Sequence, residues 1–449
     1  MAKKRNKVAT LPLVAPDAAG IDIGATQVFV AVPADRDPEP VRSFQTFTVE
    51  LERLADWLQT CRIRTVAMES TGVYWIPLFQ ILEKRGFEVK LVNAHHVKNV
   101  PGRKTDVEDC QWIQHLHSVG LLRGSFRPED EICAIRSLWR HRDNLIQLPT
   151  IHLQHMQKSL DQMNVQLHHV ISDLAGTTGL TIVEAILAGE RDPQKLAQLR
   201  DWRIKASEET IMKSLVGDYR AEHLFTLGQS LRSYRHYQQM IQQVDLQVKQ
   251  MVQWLPSKIA YDQKPPKEKN PGKTPWRNEP PQLRDDLYRA FGVDLTQVPG
   301  INTLTAQMLL TEVGPDLSRF PTAAAFSSWL RLCPNPRISG GQILSSTTRP
   351  TKNRLALALR MAAQGLHRSQ SFLGDYFRRM KSRMGTPKAM TAVAHKLARI
   401  VYHLITTQHE YDASVFQHLE KRNQDRKRAR LQMQAKELGF QIVPLEVVP

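Results

Sequence analysis

The stretch Gly20 to Val32, GIDIGATQVFVAV, restricts what this chain can fold into more than any other. Ile21 and Ile23 flank Asp22 in the alternation of a strand, and Gly24 permits a tight turn. Val28, Val30 and Val32 alternate again, so the pattern predicts a second strand returning beside the first. A carboxylate in such an apolar run is unfavourable unless its charge is offset, which a bound metal or a phosphate would do. The alternative on this stretch alone is a turn aspartate capping nearby amides.

The residues around it extend an α/β pattern. Residues 1–18 read as a flexible basic arm, and 19–136 as one domain. Val41 to Thr48 offers a third strand, and Val49 to Cys61 a helix with Leu51, Leu54, Trp57 and Leu58 on one face. Arg64 to Glu69 is a strand ending on a carboxylate, Tyr74 to Arg85 a helix, Glu88 to Val92 a strand and Lys104 to Gly120 a helix. A meander followed by alternating elements predicts a layered α/β domain with a mixed sheet.

From 137 to 255 the pattern turns helical and Gln-rich. Leu153, Met156, Leu160, Met163, Leu167, Val170 and Leu174 recur in steps of three and four, the seam of a coiled coil. Leu231, Tyr234, Ile241, Val244, Val248, Met251 and Leu255 make a second seam. The two are expected to pack as an antiparallel hairpin or against a second subunit, and an ordinary bundle core is the alternative. Residues 256–282 form a Pro/Lys-rich linker, 283–417 a mainly α second domain and 418–449 a basic tail.

The formal net charge is +17 and the pI about 9.8, which favours a polyanionic partner, nucleic acid first. Cys61, Cys110, Cys133 and Cys333 are scattered with no CxxC pair, excluding a zinc-ribbon or disulfide framework. No run approaches the roughly 18 apolar residues of a membrane span, so the expectation is a soluble cytoplasmic protein with no membrane partner.

Four carboxylates carry the chemistry. Asp22 and Glu69 sit at strand positions, and Asp106 and Asp109 fall at i and i+3 on one helical face. Gathered together they would repel one another, and divalent metal relieves that repulsion; Mg2+, as two ions, would clamp both oxygens of a phosphoryl displacement. A sugar-kinase-like ATPase is the rival, because GIDIGAT resembles a first phosphate loop, but no second such loop follows.

In the second domain, QVPGINTLTAQMLLTEVG resembles a helix-hairpin-helix whose turn at Gly300 would aim amides at a DNA phosphate. A plain helical core element is the alternative. In LRLCPNPRISGGQILSS, Ser339 precedes two glycines, which suits a hydroxyl on an exposed tight turn. Arg337, Lys352 and Arg354 are candidate phosphate contacts.

GIDIG, AMESTG, RKTDVED, the PGI hairpin and SGG stand in the order of the DEDD transposases of bacterial insertion sequences. From Gly20 to about Tyr411 the chain resembles this IS-one-ten family, whose relatives are the Piv-type invertases. The resemblance implies an RNase H-like (RuvC-like) domain with Asp22, Glu69, Asp106 and Asp109 as metal ligands, a coiled coil, and a transposase domain in which Ser339 is catalytic. It further implies a bridge RNA that pairs with donor and target DNA. The two seams are expected to support a homo-oligomer, a dimer or tetramer on DNA, in a bacterial cytoplasm and at the nucleoid when bound to DNA. PTKNRLALALR lacks the glycine of the family's Lys-x-Gly-Asn stretch. With no histidine near Ser339 in sequence, its activation is expected from metal held by the acidic quartet. The expected function is a site-specific DNA recombinase. A Holliday-junction-type nuclease and a non-catalytic nucleic-acid-binding protein are the alternatives.

Overall fold

The computed structural model describes residues 12–440, apart from 71, 94–104, 261, 268–279 and 281. The chain divides into two compact units, Met1–Arg127 and Pro128–Pro449.

In the first unit, β1 (Ala18–Ile23) pairs antiparallel with β2 (Gln27–Ala31), and β2 antiparallel with β3 (Val41–Gln45). After α1 (Thr48–Thr60), β4 (Thr65–Glu69) returns parallel to β1. After α2 (Trp75–Lys84), β5 (Glu88–Val92) adds parallel to β4, giving the order β3-β2-β1-β4-β5. The alternation read in the sequence decides which way each strand faces. Ile21, Val28, Val30 and Met68 enter one core with Leu54, Leu58, Leu78 and Leu82 of the two helices.

The opposite face is covered by α3 (Asp106–Ser118), with Ala67, Val92 and Ile113 clustered between sheet and helix. The described part of the supposed basic arm is tied down rather than free. The amides of Val14 and Ala15 donate to Ser118 O at 2.8 and 2.9 Å, Asp17 pairs with Arg36 at 2.6 Å, and Ala18 already belongs to β1. Residues 1–11, and Lys104 where the last helix of this unit was expected to start, lie outside the described residues.

The second unit begins with α4 (Asp130–Gln162), continues through α5 (Thr177–Leu187) and reaches α6 (Ala221–Gln253). α4 and α6 run antiparallel: Arg142 pairs with Asp245, His152 stacks on Tyr237 at 5.4 Å, and Ser159 meets Thr226 at 3.1 Å. The seam expected over 153–174 rides one helix only to Gln162. At Asn164 the backbone turns left-handed, φ 56°. Leu167 and Leu174 then fold back onto Met156, Leu160, Leu227 and Leu231. A 3–4 periodicity records burial, and a short segment folded onto the same core satisfies it as well as a straight helix does.

The remaining elements are α7 (Leu283–Phe291), α8 (Thr303–Glu312), α9 (Ala323–Trp329), the hairpin β6 (Arg337–Ser339) and β7 (Gln342–Ser345), then α10 (Arg354–Gly365), α11 (Phe372–Met384), α12 (Thr386–Thr407) and α13 (Gln417–Glu437). Phe291, Leu310, Phe326, Leu359, Phe377 and Leu397 are buried among them. Most of the Pro/Lys-rich linker, 268–279, lies outside the described residues. No helix among the described residues is long and apolar enough to cross a membrane.

Candidate active site

The register of β1 against β4 sets Ile21 opposite Met68, so Asp22 and Glu69 come next, at the ends of adjacent parallel strands. Their neighbours Ile21, Ile23 and Met68 point into the core. Both carboxylates therefore share the other face with Gly20 and Ala67, beneath α3. Gly20 makes that arrangement possible. A Cβ there would stand 2.1 Å from Gln114 N and 2.4 Å from Cys110 O, so only glycine lets the helix backbone lie on the strand. Gln114 Nε2 also donates to Ala18 O at 3.3 Å, and one turn on, His117 Nε2 meets Thr65 Oγ1 at 2.9 Å.

With the helix held there, Asp106, Asp109 and Cys110 fall one to two turns before Gln114, toward Asp22. The Asp22 carboxyl registers all of them. It is pushed up from 3.8 to about 6, first by burial and then by the negative charges of Glu69, Asp106 and Asp109. Glu69 is buried, Asp22 and Asp109 are half-buried, and Asp106 is exposed. Thr105 caps the helix by accepting from Glu108 N, so Asp106 and Asp109 occupy the first turn, where the helix dipole favours negative charge.

Among the described residues, the group of three whose ligand atoms all lie within 4.8 Å of one another is Asp161, His168 and His169 in the second unit, and no three of these carboxylates come so close. Beside the quartet, burial and then the Asp22 charge push the Cys110 thiol up to about 12. At the far end of α3, against Thr65, burial pushes His117 down to about 4, leaving it neutral. An all-oxygen donor set in which burial and then neighbouring negative charge suppress ionisation of one member fits a hard divalent cation.

In the second unit Ser339 ends β6, opposite Gln342 across the turn Gly340–Gly341. Both glycines have positive φ, 55° and 79°, the geometry of a tight hairpin turn that side chains with a Cβ resist. Ser339 and Arg337 are exposed there, and so are the apolar Ile338, Ile343 and Leu344. The sequence indicated a turn at SGG but not its strands, which are short and carry no buried face to betray them.

The other candidates are placed variously. Lys352 is exposed, whereas Arg354 pairs with Asp143 of α4 at 2.8 Å. The stretch lacking the family glycine is resolved locally by Asn353, which caps α10 by accepting from Ala356 N at 3.0 Å. Gly300 has φ 92° and packs against Ala362 O and Leu366, while the side chain of Asn302 caps α8 by accepting from its third amide, that of Thr305. A one-turn segment, Leu295–Gln297, rather than a full helix, precedes this turn.

A mixed sheet in this order, with carboxylates ending β1 and β4 and lining α3, is compatible with an RNase H-like catalytic domain. A family model for a transposase of the DEDD, IS110 type matches residues 19–165. A second, described as Transposase IS116/IS110/IS902 family, matches residues 294–378. Together they span a little over half of the chain, and no curated protein matches it. The chain belongs to the IS110 family of DEDD transposases and is a DNA transposase of an insertion sequence.

Proposed function

We propose that this transposase cuts and rejoins DNA through a phosphoserine intermediate on Ser339, with Asp22, Glu69, Asp106 and Asp109 holding the divalent metal. The observation that supports the reading is the register that sets Asp22 and Glu69 at the ends of adjacent parallel strands, with the first turn of α3, carrying Asp106 and Asp109, held over them by the close approach at Gly20. The donor chemistry suits Mg2+, two ions per site, which when bound supply Lewis-acid stabilisation of charge developing on a phosphate.

The chain's own residues do the rest. Ser339 Oγ bonds to phosphorus as the bond to a sugar oxygen breaks, and that sugar leaves as a hydroxyl carrying the proton the serine gave up. Rejoining is the reverse, with a hydroxyl from another strand. The ester keeps the energy of the broken phosphodiester, so no ends are lost. The exposed hairpin lets Ser339 reach a backbone phosphate, with Arg337 and Lys352 to offset its charge. Arg354 and the Gly300 turn are further DNA contacts in this reading. Family resemblance supplies a structured bridge RNA as guide and donor and target DNA as substrates, and holding several strands at once calls for a homo-oligomer.

Ser339→Ala tests the chemistry. Nucleic-acid binding should stay near normal while covalent adduct and recombinants both disappear on denaturing gels. An adduct that persists, or maps to Ser345 or Ser346, overturns the assignment, and cleavage without any adduct in the wild type points to a nuclease instead.

A further inference from the structure

A cavity of about 840 Å3 opens in the second unit beside α12 and the segment after it, almost wholly C-terminal to the stretches the family models match. Its wall carries His395, Lys396 and Arg399 of α12, Tyr376 of α11, and Tyr411 and Phe416. The Lys396 ammonium lies 4.8, 4.9 and 5.5 Å from the ring centroids of Phe372, Tyr376 and Phe416. The Arg379 guanidinium lies 5.9 Å from the Tyr376 ring, its Nε buried without a hydrogen-bond partner.

These cations are crowded, and among the described residues no carboxylate forms an ion pair with Lys396, Arg379 or Arg399. Burial, and then Arg379 and Arg399, lower the proton affinity of Lys396. The two acids on the wall offset part of this charge but turn to other groups, Glu410 accepting from the amide of Asp294 and Asp412 from Ser414. A groove shares Tyr376 with the cavity and continues past Arg379 and Arg383 to Arg426 and Arg430.

Cations with no paired carboxylate, leading into a groove lined by Arg379, Arg383, Arg426 and Arg430, suit an anionic chain, and aromatic faces beside them suit a flat ring. A nucleotide has both, and the volume falls in the roughly 300–1,000 Å3 range of small-ligand sites. A base stacked inside a duplex cannot enter such a cavity, whereas an unpaired one can. We propose that this cavity seats one unpaired nucleotide of a single-stranded nucleic acid, its base against Tyr376 and Tyr411, its phosphate on Lys396 and Arg399, and its neighbours along the arginine groove. The proposal rests on the nucleic-acid reading above and adds to it a site and a preference for unpaired strands.

Arg399→Gln and Tyr376→Leu in the full chain test it, because Arg399 is exposed and its replacement leaves the core intact. Labelled oligo-U, oligo-dT and a duplex of the same length are titrated against the wild type and both variants, with melting curves to verify folding. Each variant should lose about tenfold in single-strand affinity and keep its duplex affinity. The salt slope of single-strand binding should fall by about one in Arg399→Gln. Loss confined to oligo-U identifies RNA as the occupant and loss confined to oligo-dT identifies DNA. Unchanged single-strand binding in both folded variants, or equal loss for the duplex, overturns the cavity proposal alone. A wild type that binds none of the three probes overturns the functional reading with it.

Discussion

Replacing Asp22 by asparagine should stabilise the metal-free protein while abolishing catalysis. The native carboxyl is held at about 6 against 3.8 for the free group, so the folded state binds more protons than the unfolded one between those values. Its contribution to stability therefore falls as pH rises from about 4 to about 6, and the full penalty stands above 6. Two pK units correspond to about 3 kcal/mol, and since Asp22 is only half-buried, screening reduces this to about 1.5 kcal/mol. His117 slopes the other way: its folded value of about 4 lies below 6.5, so its contribution is lost as pH falls through that window. The two partly cancel in any wild-type pH profile, and comparing wild type with Asp22→Asn at each pH removes the histidine. Amide hydrogen exchange along β1 and β4 reads the difference within the intact chain. At pH 7.5 the variant should exchange about tenfold more slowly, and at pH 4 nearly as the wild type does. Millimolar Mg2+ should slow exchange in the wild type much more than in the variant. Equal protection at pH 7.5 without metal would refute the convergence of charge on Asp22.

Three further outcomes follow from the same structure. Gly20→Ala should push α3 off the sheet, lowering stability by about 3 kcal/mol and cutting strand cleavage, as urea melts and a cleavage assay would report. Arg142 is 2% exposed against Asp245, so Arg142→Ala should lower the unfolding free energy by about 3–5 kcal/mol, and replacing both partners by apolar residues should restore much of it. Binding of DNA and structured RNA should weaken steeply with salt, measured by titration between 50 and 200 mM, because basic groups displace condensed counterions.

Leu160 and Leu167 show how far a periodic pattern reaches. Both were expected on a seam, and both are fully buried. They face the core of their own chain, so polar replacement there would unfold this region and could not report on assembly.

What the sequence determined by itself was whatever local periodicity and residue chemistry decide. The five strands of the first unit and the three helices beside them were legible, and Asp22, Glu69, Asp106 and Asp109 stood out as candidates. Alternation and turn spacing act within a few residues, and an aspartate among isoleucines stands out without any fold. Tertiary structure alone decided which face α3 covers, because that rests on Gly20 lying opposite Cys110 and Gln114, residues far apart in the chain. It alone ended the seam at Gln162 and paired Arg142 with Asp245 and Thr65 with His117. Close approach between distant backbones depends on the space left by every other side chain, and no window of sequence contains that.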